Sequence, residues 1–127
     1  MLSQNQIKHI KALKVKKYRE EFRQFIAEGH KLVMELISSE FSIAGIYASA
    51  NWTDTNLPYI REQNIPVFET SPREMDRISA LVTPSPVLAL VNIPSDKLTK
   101  SSLIEYISTS AHQHINSLIL ALSLIHI

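Results

Sequence analysis

KKYREEFRQFIAEGHKLVMEL, residues 16 to 36, decides the fold. A basic run leads into a short apolar segment that stops at Glu28-Gly29, after which the chain restarts with helical spacing. The stretch reads as basic loop, buried strand, glycine turn and helix. Phe22, Phe25 and Ile26 supply the apolar content of the strand, and Leu32, Val33, Leu36 and Ile37 share one face of the helix. Gly29 is one of two glycines in the chain. A scarce glycine between strand and helix marks a turn with positive φ, or a backbone that something approaches closely. The cations around it point to a phosphate.

Working outward, Ser3 and Gln6 form a capping-box signature for a helix over residues 4 to 13, with Ile7, Ile10 and Leu13 as its apolar stripe and lysines opposite. Beyond the central stretch, a helix near 30 to 39 is followed by a strand over 43 to 49, a short helix over 55 to 63 and a strand over 66 to 69. The last helix has the clearest start: Ser71 caps it, Pro72 suits its first position, Glu74 closes the box, and Met75, Ile78 and Val82 line one face. Residues 87 to 91 form a nearly continuous apolar strand. Strands alternating with helices imply an α/β fold, a three-layer α/β/α sandwich around a largely parallel, buried sheet.

Several spaced pieces together resemble the RNA-binding domain that precedes the catalytic domain in SpoU-type (TrmH-like) RNA 2'-O-ribose methyltransferases. They are Ser3, Asn5, Lys8, Lys16, Lys17, Arg19, Phe25, Glu28 and Gly29, and then SPREMDRISALVTPSPVLALV from Ser71 to Val91. The second piece is similar to the family's closing helix, turn and last strand. Its turn reads Thr83-Pro84-Ser85-Pro86 where the family has Thr-x-x-Pro-Gln-Gly. The resemblance covers about residues 3 to 94 and implies a four-stranded mixed sheet with one antiparallel strand, like that of the kink-turn-binding ribosomal proteins.

With 127 residues, the chain suits one domain able to bury roughly two thirds of its unfolded surface. Hydrophobic residues at 45% and charged ones at 20% describe a globular chain. No apolar run reaches the roughly 18 to 20 residues that a membrane span requires, so no membrane partner is expected. The lack of cysteine excludes a disulfide framework, and the polar N-terminus lacks the form of a secretory signal; the expected address is cytoplasmic. On that view the Asn51-Trp52-Thr53 sequon is chance.

The net charge of +1 is unevenly spread. Residues 1 to 35 hold eight Lys and Arg against four Glu, a net of +4, and the remainder holds five against eight, a net of −3. A polyanion met at one end of the molecule fits this asymmetry, although ordinary solvated helices also carry such an excess.

After Pro94 the character changes. Residues 95 to 116 read as a linker, with 103 to 110 open between a short amphipathic helix and a strand, and Ser117 to Leu122 as an apolar strand candidate. The resemblance makes residues 117 to 127 a remnant of the first strand of a methyltransferase domain, truncated, and leaves open whether the last five residues are native. His112 and His114 share a strand face and could touch one metal, but no third ligand has suitable spacing, so no metal is expected. No Gly-x-Ser-x-Gly elbow, Gly-x-Gly-x-x-Gly cradle or Walker-type loop is present, so the chain alone is read as non-catalytic and without a cofactor of its own. The resemblance implies S-adenosylmethionine as cofactor of the parent enzyme, and a parent that dimerises through its catalytic domain. The fragment itself is expected to be monomeric or to pair weakly through residues 118 to 127.

The site expectations are Lys16, Lys17 and Arg19 on phosphates, with Glu28, Gly29, His30 and Lys31 at the strand-to-helix turn against irregular RNA, ribosomal or transfer. Single strands and distorted helices are the usual targets, since a regular A-form major groove is too narrow to read. Glu28 reads as a carboxylate that fixes the turn or accepts from a base edge, ahead of a general base. His30 and Lys31 fall where free helical N–H groups favour an anion. Tyr18 and Tyr47 could stack on bases or simply pack, and Lys11 and Lys14 read as solvated face. The resulting function is RNA recognition that positions a ribose for 2'-O-methylation by an adjoining domain. The alternatives are a free-standing kink-turn or ribosomal RNA-binding protein, a small-molecule-binding α/β regulatory domain, and a dimerisation module.

Overall fold

The structure, a computed structural model, describes residues 1–39 and 41–93. The linker at 95 to 116, the remnant at 117 to 127 and the His112/His114 pair lie outside the described residues. Among the described residues, nine elements follow one another: α1 (Gln4–Ala12), α2 (Lys16–Phe22), β1 (Gln24–Glu28), α3 (His30–Ser38), β2 (Ile43–Ala48), α4 (Ala50–Arg61), β3 (Val67–Glu69), α5 (Pro72–Ile78) and β4 (Val87–Asn92).

The four strands form one sheet in the order β1-β4-β2-β3. β4 runs antiparallel to both its neighbours, and β2 pairs with β3 in parallel. The sheet is thus mixed, with one strand opposed to the other three. The alternation of strands and helices alone suggests a largely parallel sheet. The last strand instead enters the middle of the sheet in reverse, making two of its three ladders antiparallel. VLALVN can do so because a central strand is covered on both faces and can be apolar at every position.

Those two faces hold two cores. Phe25, Ala27, Ile46, Ala48, Val87, Ala89 and Val91 point to α3 and α4, where Val33, Leu36, Trp52 and Ile60 meet them. Leu88, Leu90 and Tyr47 point the other way, to Ile7, Ile10 and Leu13 beside Met75 and Ile78 of α5. Helices therefore cover the sheet from both sides, giving the three-layer α/β/α sandwich. Each buried Leu, Ile or Val contributes about 1.5–3 kcal/mol relative to an exposed one.

Three elements depart from the sequence reading, and one reading that was open is decided. Residues 16 to 22 form a helix rather than a basic loop, because Lys, Arg and Glu propagate a helix well and Val15 O accepts from the N–H groups of Tyr18 (3.1 Å) and Arg19 (3.2 Å). Phe22 consequently ends α2 and stays out of the strand. α4 starts at Ala50, five residues earlier than expected. Ser49 Oγ accepts from Trp52 N–H (3.2 Å), while Thr53, Thr55 and Asn56 donate back to carbonyls one turn earlier, which turns a loop-like polar run into helix. α5 stops at Ile78, and Val82, expected on its inner face, is fully exposed. Tyr47 is buried and stacked on Phe68 at 5.0 Å, so it packs and meets no base.

Candidate nucleic-acid interface

β1 is an edge strand; α2, with Lys16, Lys17 and Arg19, leads into it, and the Glu28-Gly29 turn and the start of α3 follow it. Glu28 ends the strand and Gly29 begins α3 with φ +112°, a conformation that strains any residue with a Cβ. No atom lies within 4 Å of where a Cβ would stand, so glycine is required by the backbone angle and not by a close neighbour within the chain.

Glu28 has a structural task. Its carboxylate accepts from the Ser79 hydroxyl, from Ala80 N–H (3.1 Å) and, at a longer 3.4 Å, from Ser85 N–H. These bonds take up the chain just past Ile78, which is why α5 ends there, and they fasten the 79–85 loop to the end of β1. The carboxylate fixes that loop more than it fixes the glycine turn.

α3 opens without a side-chain cap and with no acidic residue in its first turn, whereas α1 and α5 carry complete capping boxes. The N–H groups of its first turn are thus left for solvent or an anion. Lys31 is exposed there. His30 is oriented from behind: Trp52 Nε1–H donates to its Nδ1 at 2.9 Å, and since an indole nitrogen only donates, Nδ1 must be the acceptor.

On α2, Lys16 and Lys17 are exposed, with Lys16 3.9 Å from Glu20. Arg19 is not on the surface with them. It is 9% exposed, and its guanidinium donates to Leu13 O at 3.0 Å. Burial pushes it below its ordinary value, with Glu20 acting the other way. An arginine committed to the end of α1 positions α2, which leaves Lys16 and Lys17 as the exposed cations of that expected trio. Lys14, read as solvated face, instead donates to Ser79 O at 2.9 Å. Ser79 is thus held from two sides, by Lys14 at the α1–α2 junction and by Glu28 at the strand end. One serine thus ties the residue two positions before α2 to the carboxylate at the end of β1.

Residues 4–89 match the family model of the MRM3-like substrate binding domain. The chain belongs to that family. A solved protein assigned to the TrmH family of RNA methyltransferases from Porphyromonas gingivalis is 30% identical and superposes with a TM-score of 0.60 over 75% of this chain and 37% of its own. An rRNA methyltransferase from Sinorhizobium meliloti, solved with S-adenosylmethionine bound, shares the fold at 24% identity and a TM-score of 0.61, over 74% of this chain and 35% of its own. AviRb from Streptomyces viridochromogenes, a SpoU methyltransferase solved with the same cofactor, shares it at 15% identity and a TM-score of 0.60, over 77% and 38%. The chain therefore spans little more than a third of the length of these proteins. No curated protein sequence matches it.

Where the turn before the last strand departs from the family pattern, the substrate binding domain is held by other means. Ser85 reaches Glu28 through its N–H and donates its hydroxyl to Val87 O at 2.7 Å, anchoring the turn without the usual Gln and Gly. Trp52, Ser79 and Phe22 escaped the sequence reading as site residues. Only Phe22 carried a signal, its i, i+4 spacing from Tyr18, visible once KKYREEF is taken as helix. Among the described residues no group of three or more His, Asp or Glu could hold a metal ion, and no helix is long and apolar enough to cross a membrane.

Proposed function

We propose that this domain grips irregular RNA, ribosomal or transfer, along the α2–β1 edge and presents a ribose for 2'-O-methylation by an S-adenosylmethionine-dependent domain of the same protein. The observation that carries the reading is the arrangement around Ser79. The uncapped first turn of α3, with Lys31, lies on one side, and the α1–α2 junction leading to Lys16 and Lys17 lies on the other. The family match supports a methyltransferase substrate as the ligand, and the chemistry of these groups favours a polyanion. The small-molecule alternative fits less well: the cleft of ≈ 690 Å³ beside α5 is open to solvent and mixes Leu2, Ile7 and Pro72 with Glu69, Arg73, Glu74 and Arg77, so it is not a closed apolar pocket.

The test is RNA affinity against salt. With two phosphate contacts removed, Lys16→Ala/Lys17→Ala should lower the log-log slope by about 1.4 to 1.8. An unchanged slope, with the melting curve intact, would move the RNA site away from α2. On this reading the domain alone neither binds S-adenosylmethionine nor methylates RNA, and micromolar cofactor binding in a calorimeter would contradict it.

A further inference from the structure

α2 is an amphipathic helix turned inside out. Its arginine faces the core side, while Val15, Tyr18 and Phe22, at helical spacing, form an exposed apolar stripe with 51%, 36% and 45% of their surfaces open to water. The two rings lie at 6.3 Å with 22° between their planes. Lys17 Nζ stands 5.6 Å from the Tyr18 ring centroid.

The stripe is held in place. Phe22 packs edge-on against His9 at 4.7 Å. His9 Nε2 donates to Gln24 Oε1 (2.6 Å), Gln24 donates to Asn92 Oδ1 (2.8 Å), and Asn92 donates to Ser42 Oγ (3.1 Å). A polar relay across three strand ends thus fixes one ring, and the bond from Arg19 to Leu13 fixes the helix that carries both. Rings ordered this firmly and left in water present preorganised π faces, and the cations beside them determine which partner suits.

We propose that Tyr18 and Phe22 form a stacking platform for unpaired nucleobases of the RNA whose phosphates Lys16 and Lys17 hold. The proposal rests on the RNA reading above and adds a second mode of contact to it. Each nucleotide carries a charged phosphate and a flat base on one ribose, and α2 offers ammonium groups and flat rings at neighbouring positions. Stacking of this kind contributes affinity with little dependence on base identity, and it requires bases that are not already paired.

A thermodynamic cycle tests it, using the full chain and two hairpin RNAs that differ only in whether the loop carries bases or abasic sites. The wild type should prefer the loop with bases by about 5- to 150-fold per stacked base. Tyr18→Leu/Phe22→Leu, which keeps apolar volume and removes both rings, should lose that preference while keeping the salt slope. Tyr18→Phe should retain it, which separates loss of the ring from loss of the fold if the double variant melts early. A wild type that binds both hairpins equally, with a normal salt slope, would overturn the platform and leave the RNA reading standing. Absence of salt-dependent binding to either hairpin would overturn both. A wild-type dimer in sedimentation that the leucine variant abolishes would assign the stripe to contact between copies and overturn the platform.

Discussion

α1 and α2 are neighbours in the chain, separated by Leu13, Lys14 and Val15, and they are oriented by opposite rules. α1 buries Ile7 and Ile10 against the sheet and turns Lys8 and Lys11 to water. α2 draws Arg19 inward and leaves Tyr18 and Phe22 outside. The first arrangement is explained by folding alone, since apolar area leaves water. The second is not, because seven residues that bury an arginine and expose two rings gain little from the fold. Where a helix inverts the usual pattern, its outer face is free to be selected by a partner. Positive charge is therefore a weaker guide here than orientation: the lysines of α1 and α2 look alike in sequence, but on α2 Lys17 stands beside the Tyr18 ring.

That contrast can be broken by substitution. The largest effect should come from the core side of α1: Ile10→Ala removes a side chain that is 1% exposed and should cost about 2–5 kcal/mol in denaturant unfolding. Arg19→Ala comes next, at about 1–3 kcal/mol, since it abandons the Leu13 carbonyl and the seat of α2. RNA affinity should fall with it while the salt slope stays constant; a slope reduced by about one would restore Arg19 as a phosphate ligand.

A smaller effect sharpens the comparison directly. Lys8→Ala/Lys11→Ala and Lys16→Ala/Lys17→Ala should each change stability by no more than about 0.5 kcal/mol, because all four lysines are exposed. Only the α2 pair should flatten the salt dependence of RNA binding. Equal flattening by both pairs would mean that charge alone, without orientation, defines the surface.

The smallest effect concerns the start of α1, which is tied to α5. Glu74 lies below the usual carboxylate range, held there by the Ser71 backbone N–H and then by that of Leu2, which donates at 2.6 Å. A carboxylate lowered on folding stabilises the protein above its unfolded value, and that contribution is lost as pH falls through the lowered one. Thermal melts taken downward from the ordinary value of 4.5 should therefore lose this increment in the wild type and show less change there in Glu74→Gln. Identical pH profiles for the two proteins would detach Glu74 from the docking of α1.

Much of the fold was legible because its signals are local. The Ser3 and Ser71 capping boxes announce α1 and α5, and both are formed. The Glu28-Gly29 break announces a turn with positive φ, and the backbone adopts it. The late start assigned to α4 has an equally local cause, since a run of Asn, Thr and Asp supports a loop or a back-bonded helix, and only the neighbours decide. The extension assigned to α5 has a distant cause. The strand end at Glu28, some fifty residues earlier in the chain, captures Ser79 and Ala80 and stops the helix.

The sequence by itself determined the element types, the alternation that makes three layers, and the need for glycine at position 29, because spacing, capping and backbone angles act over a few residues. Tertiary structure decided what no short window contains. It sent β4 backwards into the middle of the sheet, turned Arg19 from a phosphate candidate into a brace for α2, and made Ser79 the junction of Lys14 and Glu28. Each of these outcomes depends on which face of an element packs against another, and a side chain's partners across the fold are set by that packing, not by its neighbours in the chain.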